Sequence, residues 1–273
     1  VESEESVRLL SAGLSSGGAA AKAGVFLKID TGYGRTGIPA GDEASVAAVA
    51  GAVSRSAKLE FRGLLAHAGH TYTAPSPDAV RLIYRETAAA LNRLRDALHR
   101  RGHGNLQISV GDTPGCSGLE KFDGVDEVRP GNFVFYDAKQ FSIGSCREED
   151  LAAAVACPVA AKHPDRGEIL IYGGAVHLSK DFYTDSGGRS IHGLVAPAAG
   201  DGWGALKPNC RVSSLSQEHG TVSVDPETME SLGVGDLVMI VPAHSCLAAN
   251  LLGEYFSPGG ARIGSVMRLQ GGT

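Results

Sequence analysis

No hydrophobic stretch in the sequence approaches the ~20 apolar residues that a membrane-spanning helix needs, because Gly, Pro or charge interrupts each one within about ten residues. An arginine- or lysine-rich stripe is also lacking. With a net charge of -5 and a pI near 6.0, the chain offers no electrostatic footprint for a phosphate backbone, and nucleic acid is set aside as a partner. The five cysteines (Cys116, Cys146, Cys157, Cys210, Cys246) include no CxxC pair and are odd in number. That argues against both a disulfide framework and a zinc ribbon, and points to a reducing, cytoplasmic setting. Internal repeats and low-complexity tracts are missing too. The opening VESEESVRLL has neither an initiator Met nor a basic-then-apolar leader, so a chain shortened at its N-terminus is expected.

What is present is ordinary globular material: 273 residues, 43% hydrophobic and 20% charged, enough to bury a substantial core. Up to about Asp150, apolar strand patterns (Val25 to Asp30, Phe61 to His67, Leu106 to Val110, Asn132 to Tyr136) alternate with helical ones. The clearest helix opens at Ser76-Pro77-Asp78, with an N-cap, a proline in the first turn and an acid, and ends near Gly102. Its positions Val80, Ile83, Tyr84, Thr87, Leu91, Leu94 and Leu98 share one face. A second helix presents Val46, Val49, Ala50 and Val53. This alternation predicts parallel strands with right-handed crossovers and polar groups at the strand ends. From about Leu151 the texture changes to short strands divided by Gly, Pro and Asp, with an excursion loop over Asp181 to Pro208. The expected fold is therefore α/β plus β: a partial (β/α)8 TIM-type barrel over residues 1–150, then a mostly antiparallel β domain over residues 151–273.

Several polar groups fall at expected strand ends. In His244-Ser245-Cys246 an extended backbone would point an imidazole and a thiolate to one side, where both suit zinc and leave positions for water or substrate. A satisfied histidine beside a buried cysteine is the other account of the same tripeptide. Ser109 to Gly115 (SVGDTPG) is a small-residue loop able to approach a phosphate, or simply a turn. Asp30 and Arg35 in KIDTGYGRTG either bind a ligand or pair with each other. His67, His70 and Tyr72 end the next strand, and Glu218-His219-Gly220 forms a further polar cluster.

Taken in order, KIDTGYGRTG, GLLAHAGHTY, SVGDTPG, EVRPGNFVFYD, SQEHG and GDLVMIVPAHSCLAAN resemble the family joining eukaryotic-type D-serine dehydratase with D-threonine aldolase, which shares the alanine-racemase-like, fold type III barrel. The resemblance spans Val25 to Asn250. It implies a barrel that binds pyridoxal 5'-phosphate, a β domain that carries zinc, and a homodimer. Arg35 would contact the cofactor ring, His67 would lie against it and Tyr72 beside it, and Gly111, Asp112 and Thr113 belong to the loop that would hold the phosphate. His67, Tyr72 and His219 are the implied catalytic candidates, and His244 and Cys246 the zinc ligands. The implied reaction is β-elimination of D-serine, or a related β-hydroxy-D-amino acid, to pyruvate and ammonia. Characterised aldolases of the family tend to show His-x-Asp, so Cys246 favours dehydration over aldol cleavage. The family's cofactor-anchoring lysine lies upstream of the KIDTG segment, and Lys22, Lys28, Lys58, Lys121, Lys139, Lys162, Lys180 and Lys207 do not match its context. A non-catalytic cofactor- or metal-binding remnant is thus the third alternative.

Overall fold

The computed structural model describes residues 1–18, 20–200 and 202–264. Two compact units divide between Gly131 and Asn132. The change of sequence texture near Leu151 therefore falls inside the second unit. Residues 132–150 belong with it because the Ala152 amide donates to Phe135 O (2.8 Å) and the Ser245 amide donates to the Asp137 carboxylate (3.2 Å).

In the first unit, α1 (Glu4–Ser16), β1 (Ala23–Asp30), β2 (Ile38–Pro39), α2 (Glu43–Arg55), β3 (Leu59–Ala66), α3 (Pro77–His99), β4 (Gln107–Val110), α4 (Thr113–Ser117) and β5 (Glu127–Val128) follow in order. All strand pairings are parallel, in the order β2-β1-β3-β4-β5, as a barrel segment built from crossover helices requires. α3 starts where its sequence signals place it: Ser76 Oγ accepts from the Ala79 amide and Pro77 occupies the first turn. Its stripe of Val80, Tyr84, Thr87, Leu91, Leu94 and Leu98 is buried. The alternate residues Val25, Leu27 and Ile29 of β1 join the same core, so the other face of β1 carries Phe26, Lys28 and Asp30. Full burial of a residue such as Leu91 or Leu98 stabilises by roughly 1.5–3 kcal/mol.

The strand expected over Asn132 to Tyr136 does not form. Asn132–Val134 is a 3-10 turn, in which Phe133 and Val134 are 49% and 58% exposed and Asn132 O accepts the Phe135 and Tyr136 amides. Tyr136 has φ +49°, which no strand residue adopts. The sheet's last strand is the short β5 instead.

The second unit contains α5 (Ala138–Ser142), β6 (Val155–His163), β7 (Glu168–Tyr172), α6 (Ala175–Leu178), β8 (Tyr183–Thr184), β9 (Ser190–Ile191), β10 (Gly193–Ala199), β11 (Gly202–Trp203), β12 (Arg211–Leu215), β13 (His219–Ser223), α7 (Pro226–Ser231), β14 (Leu237–Pro242) and α8 (Ser245–Leu252). Its sheet runs β10-β12-β13-β7-β6-β14, and β14 pairs back onto β10, closing a six-stranded antiparallel barrel. Cys157, Val159, Ile169, Ile171, Val195, Val212, Val222, Val238 and Ile240 form its core. The excursion loop expected over Asp181 to Pro208 is corrected by β10, which closes this barrel. Gly193 and Pro197 obscure the strand in sequence, yet Gly193 is what admits the Ile240 side chain, 2.6 Å from where a Cβ would stand.

Gly63 has φ +154°, and a Cβ there would lie 1.9 Å from Gln107 O across the β3–β4 ladder. Gly63→Ala should cost more than about 2 kcal/mol in chemical denaturation. Gly13→Ala, at an open position of α1, should be neutral or raise stability by up to about 1 kcal/mol.

Candidate functional site

Parallel register sets out the polar face of the first sheet. Lys28 pairs with Leu65, Leu65 with Ser109 and Ser109 with Glu127, which makes one row across β1, β3, β4 and β5. Two residues further along each strand come Asp30, His67, Gly111 and Arg129, and these begin the loops at the carboxyl ends, where parallel sheets place their chemistry.

The loop after β1 is organised by Asp30, whose carboxylate accepts the amides of Gly32 (3.0 Å), Tyr33 (3.0 Å) and Gly34 (3.1 Å). Desolvation opposes ionisation of Asp30, but the three amides outweigh it and hold the carboxyl below its ordinary value. The alternative that Asp30 merely pairs with Arg35 is thereby answered. Arg35 makes no ion pair among the described residues, and its guanidinium lies 5.3 Å from the Tyr33 ring centroid. Tyr33 in turn meets His67 edge-on at 5.7 Å and stacks on His70 at 6.4 Å.

His67 Nδ1 lies 2.5 Å from Gly111 O. A carbonyl only accepts, so Nδ1 carries the proton and Nε2 keeps its lone pair. Burial lowers the His67 pKa, with Arg35, Lys28 and Arg129 adding to the effect, while the Gly111 bond opposes it; the ring is a neutral base at pH 7. Tyr72, in the 3-10 turn Gly69–Thr73, lies 6.3 Å from the His67 ring, and its hydroxyl accepts the Thr113 amide at 3.3 Å. Asp112 is buried as the N-cap of α4, accepting from Thr71 Oγ1 (2.8 Å) and the Gly115 amide (2.6 Å), and burial raises its pKa. The loop's amides are less open than its composition suggests, since Gly111 donates to Ala66 O (3.2 Å). Arg35, His67, Tyr72, Gly111, Asp112 and Thr113 thus lie on one unit, and the Thr113–Tyr72 bond ties the loop after β4 to the 3-10 turn after β3.

In the second unit, β14 ends at Pro242, and His244, two residues on, is extended (φ -137°, ψ 100°) and is the N-cap residue of α8. Cys246 lies inside the first turn of that helix, so the sequence argument from a continuous extended segment is corrected to a strand-to-helix junction. The two side chains still meet: the Cys246 sulfur is the largest influence on the imidazole, raising it to about 9 against burial, with Asp181 next. His244 Nδ1 lies 2.9 Å from Asp181 Oδ2, so Nε2 is the ring nitrogen outside that bond. Beneath the junction, the buried Asp137 carboxylate accepts from the Asn132 side-chain amide, the Gln140 amide (2.8 Å) and the Ser245 amide (3.2 Å), while Ser245 Oγ donates to Asn132 Oδ1 (2.8 Å). Burial pushes Asp137 up.

An imidazole braced by a carboxylate, beside a thiol, is a donor set that zinc prefers, so these residues fit a zinc ion bound by two protein ligands. No group of three or more His, Cys, Asp or Glu side chains among the described residues forms a fuller cage. His219, at the start of β13, meets Tyr172 edge-on at 5.8 Å, and Tyr172 packs on His177 at 5.0 Å; this is a separate ring cluster. The sequence did not reveal Asp181, Asn132 or Asp137 as supports. Asp137 with Gln140 three residues on reads as an N-cap, but Asp181 comes from a glycine-rich stretch with no local signal.

Residues 1–139 match the family described as "Alanine racemase, N-terminal domain", and residues 152–257 the one described as "Putative serine dehydratase domain". D-serine dehydratase of Dictyostelium discoideum is 29% identical over 242 residues, covering 85% of this chain and 60% of that protein. D-threo-3-hydroxyaspartate dehydratase of Delftia sp. HT23 is 28% identical over 228 residues, covering 81% of this chain and 59% of that protein. The chain therefore spans about 60% of the length of these curated relatives. The solved structure of the Delftia enzyme superposes with TM-score 0.83 at 25% identity, over 96% of this chain and 70% of that one. Solved forms of that enzyme include a cysteine-to-alanine mutant in the metal-free form and a histidine-to-alanine mutant, at positions two residues apart. D-threonine aldolase of Filomicrobium marinum shares the fold, with TM-score 0.74 at 21% identity over 96% of this chain and 66% of that one.

In the metal-free protein the His244 imidazole should titrate near pH 9 by NMR, and Cys246→Ala should move it down toward the ordinary value of about 6.5. Because the folded pKa is raised, the associated stabilisation is complete below about pH 6.5 and is lost as pH rises through about 9. Titration near 6.5 in the unaltered protein would show that the two side chains do not meet.

Proposed function

The chain belongs to the alanine-racemase-like, fold type III family that carries a serine dehydratase domain, and from that premise we propose that it serves a pyridoxal-phosphate- and zinc-dependent dehydration of a small β-hydroxy-D-amino acid such as D-serine. The carrying observation is the His244–Cys246 junction braced by Asp181. The mutant pair in the Delftia enzyme has the same spacing, which supports assigning the metal to these two residues.

Pyridoxal phosphate, when bound, supplies an electron sink for negative charge at the substrate's Cα. Toward that cofactor, Arg35 offers a fixed cation, and His67 presents Nε2 as a neutral acceptor while Nδ1–H on Gly111 O sets its tautomer. Thr113 and Tyr72, by exchanging their mutual bond, would hold the phosphate end. His244 and Cys246 would hold a zinc ion, which would supply Lewis acidity toward a poor leaving group, hydroxide. Asp181 keeps the His244 ring in register for that role, and its loss should weaken metal binding about 10–100-fold. A place for His219 near the substrate is part of the proposal on the resemblance of its SQEHG motif alone. Cys246, where related aldolases tend to carry Asp, favours dehydration over aldol cleavage. A cytoplasmic homodimer completes the proposal.

With both cofactors present, D-serine should yield pyruvate and ammonia, a chelator should abolish turnover, and added zinc should restore it. Cys246→Ala should lose at least about 100-fold in kcat, on the scale of a removed Lewis-acid contribution. Unchanged turnover after verified metal removal would refute the role of zinc, and glycine released from D-threonine would identify an aldolase.

A further inference from the structure

The chain leading to Asp181, the brace of His244, leaves ordinary backbone conformation at Ser179. This buried residue closes α6 with φ +66° and ψ 176°, a combination almost confined to glycine. Strain of that kind persists only where the surroundings fix the chain on both sides. Upstream, the amides of α6 tie it down: Ala175 donates to Ser216 O (2.9 Å), Val176 to Gln217 O (3.1 Å), and Ser179 back to Ala175 O (3.1 Å). Downstream, the Asp181 amide donates to Ser179 Oγ (3.2 Å), and the His192 ring donates through Nδ1 to Asp181 O (3.2 Å). His192 is in turn the backbone partner of Ala243, whose amide donates to His192 O (2.9 Å). Asp181 is thus pinned beside the residue that precedes His244, and its Oδ2 meets His244 Nδ1 at 2.9 Å.

We propose that Ser179 is a positioning residue, held in a glycine conformation for the sake of its hydroxyl, which aims the Asp181 carboxylate at His244. Its consequence for metal binding rests on the zinc reading above and deepens it. Glycine would relax the backbone at this position but has no oxygen to accept the Asp181 amide; alanine would keep the strain and lose the oxygen as well. A serine here gives up stability for orientation, the exchange expected where a strained residue serves a site. If the residue served only to end α6, glycine, the one favoured at helix C-termini, would do so without strain.

Ser179→Gly and Ser179→Ala separate the backbone from the hydroxyl. In the metal-free protein Ser179→Gly should melt at least about 2 °C above Ser179→Ala, the reverse of the usual order of these two residues. The unaltered protein should show a slowly exchanging His244 Nδ1–H signal in NMR, and both variants should lose it, as Asp181→Ala does. Zinc titrated against a chromophoric chelator should bind both variants about tenfold more weakly than the unaltered protein, the lower end of what loss of an outer partner costs. In an Asp181→Ala background neither substitution should weaken zinc further, because Ser179 acts only through Asp181. The proposal is overturned by Ser179→Ala melting level with or above Ser179→Gly, or by a His244 Nδ1–H signal that is absent from the unaltered protein or persists in the variants. Unchanged zinc affinity in either variant, or a loss that recurs in the Asp181→Ala background, overturns it equally. Should the unaltered protein bind zinc no better than Cys246→Ala, the zinc reading fails, while the NMR signal and the melting order still decide the role of Ser179. Zinc binding that depends on Cys246 but not on Ser179 leaves the zinc reading standing and removes the positioning role.

Discussion

A single buried carboxylate fixes the point at which the second unit turns from strand to chemistry. Asp137 has two oxygens among three donors, and one of those donors is the amide that opens α8. An amide in the first turn of a helix has no partner within the helix, and a negative charge there is favoured by the helix dipole. Removing Asp137 would take the acceptor from the buried Ser245 amide, and an orphaned polar group in the interior costs about 1–3 kcal/mol. The position of His244 before that amide and Cys246 after it therefore depends on a residue that touches neither side chain. The barrel supplies the other half of the constraint, because β14 pairs with both β6 and β10 and cannot shift its register without breaking closure.

The first unit works on another principle. Its functional groups sit at the ends of parallel strands, and register alone brings Lys28 into line with Ser109 and His67 beside Gly111. Each group is then oriented by backbone rather than by other side chains: Asp30 by three amides, His67 by a carbonyl. Backbone partners are rigid, so the His67 tautomer and the loop carrying Arg35 are set before any ligand arrives.

Much of this was legible in the sequence, for physical reasons. The α3 stripe and its Ser76-Pro77 start are local signals, and the structure reproduces them because nothing non-local opposes them. The strand at Asn132 to Tyr136 read as a continuous apolar run, but a left-handed Tyr136 and the pull of Asn132 on two amides win over pattern. Strand β10 was hidden because its Gly193 and Pro197, normally breakers, serve close packing inside a closed barrel. The His-x-Cys pair was visible as residues but not as geometry: its two members meet across a helix start, and the carboxylate that braces His244 comes from 63 residues upstream. Lys28 was visible only as a lysine in a strand, since the row it shares with Ser109 exists once the sheet has formed.

The account turns on zinc bound jointly by His244 and Cys246. X-ray absorption at the zinc edge of the zinc-loaded protein measures this directly. It should show one sulfur at about 2.3 Å and a nitrogen at about 2.0–2.1 Å, with lighter donors filling the remaining positions. A spectrum containing only nitrogen and oxygen scatterers, unchanged by Cys246→Ala, would contradict it.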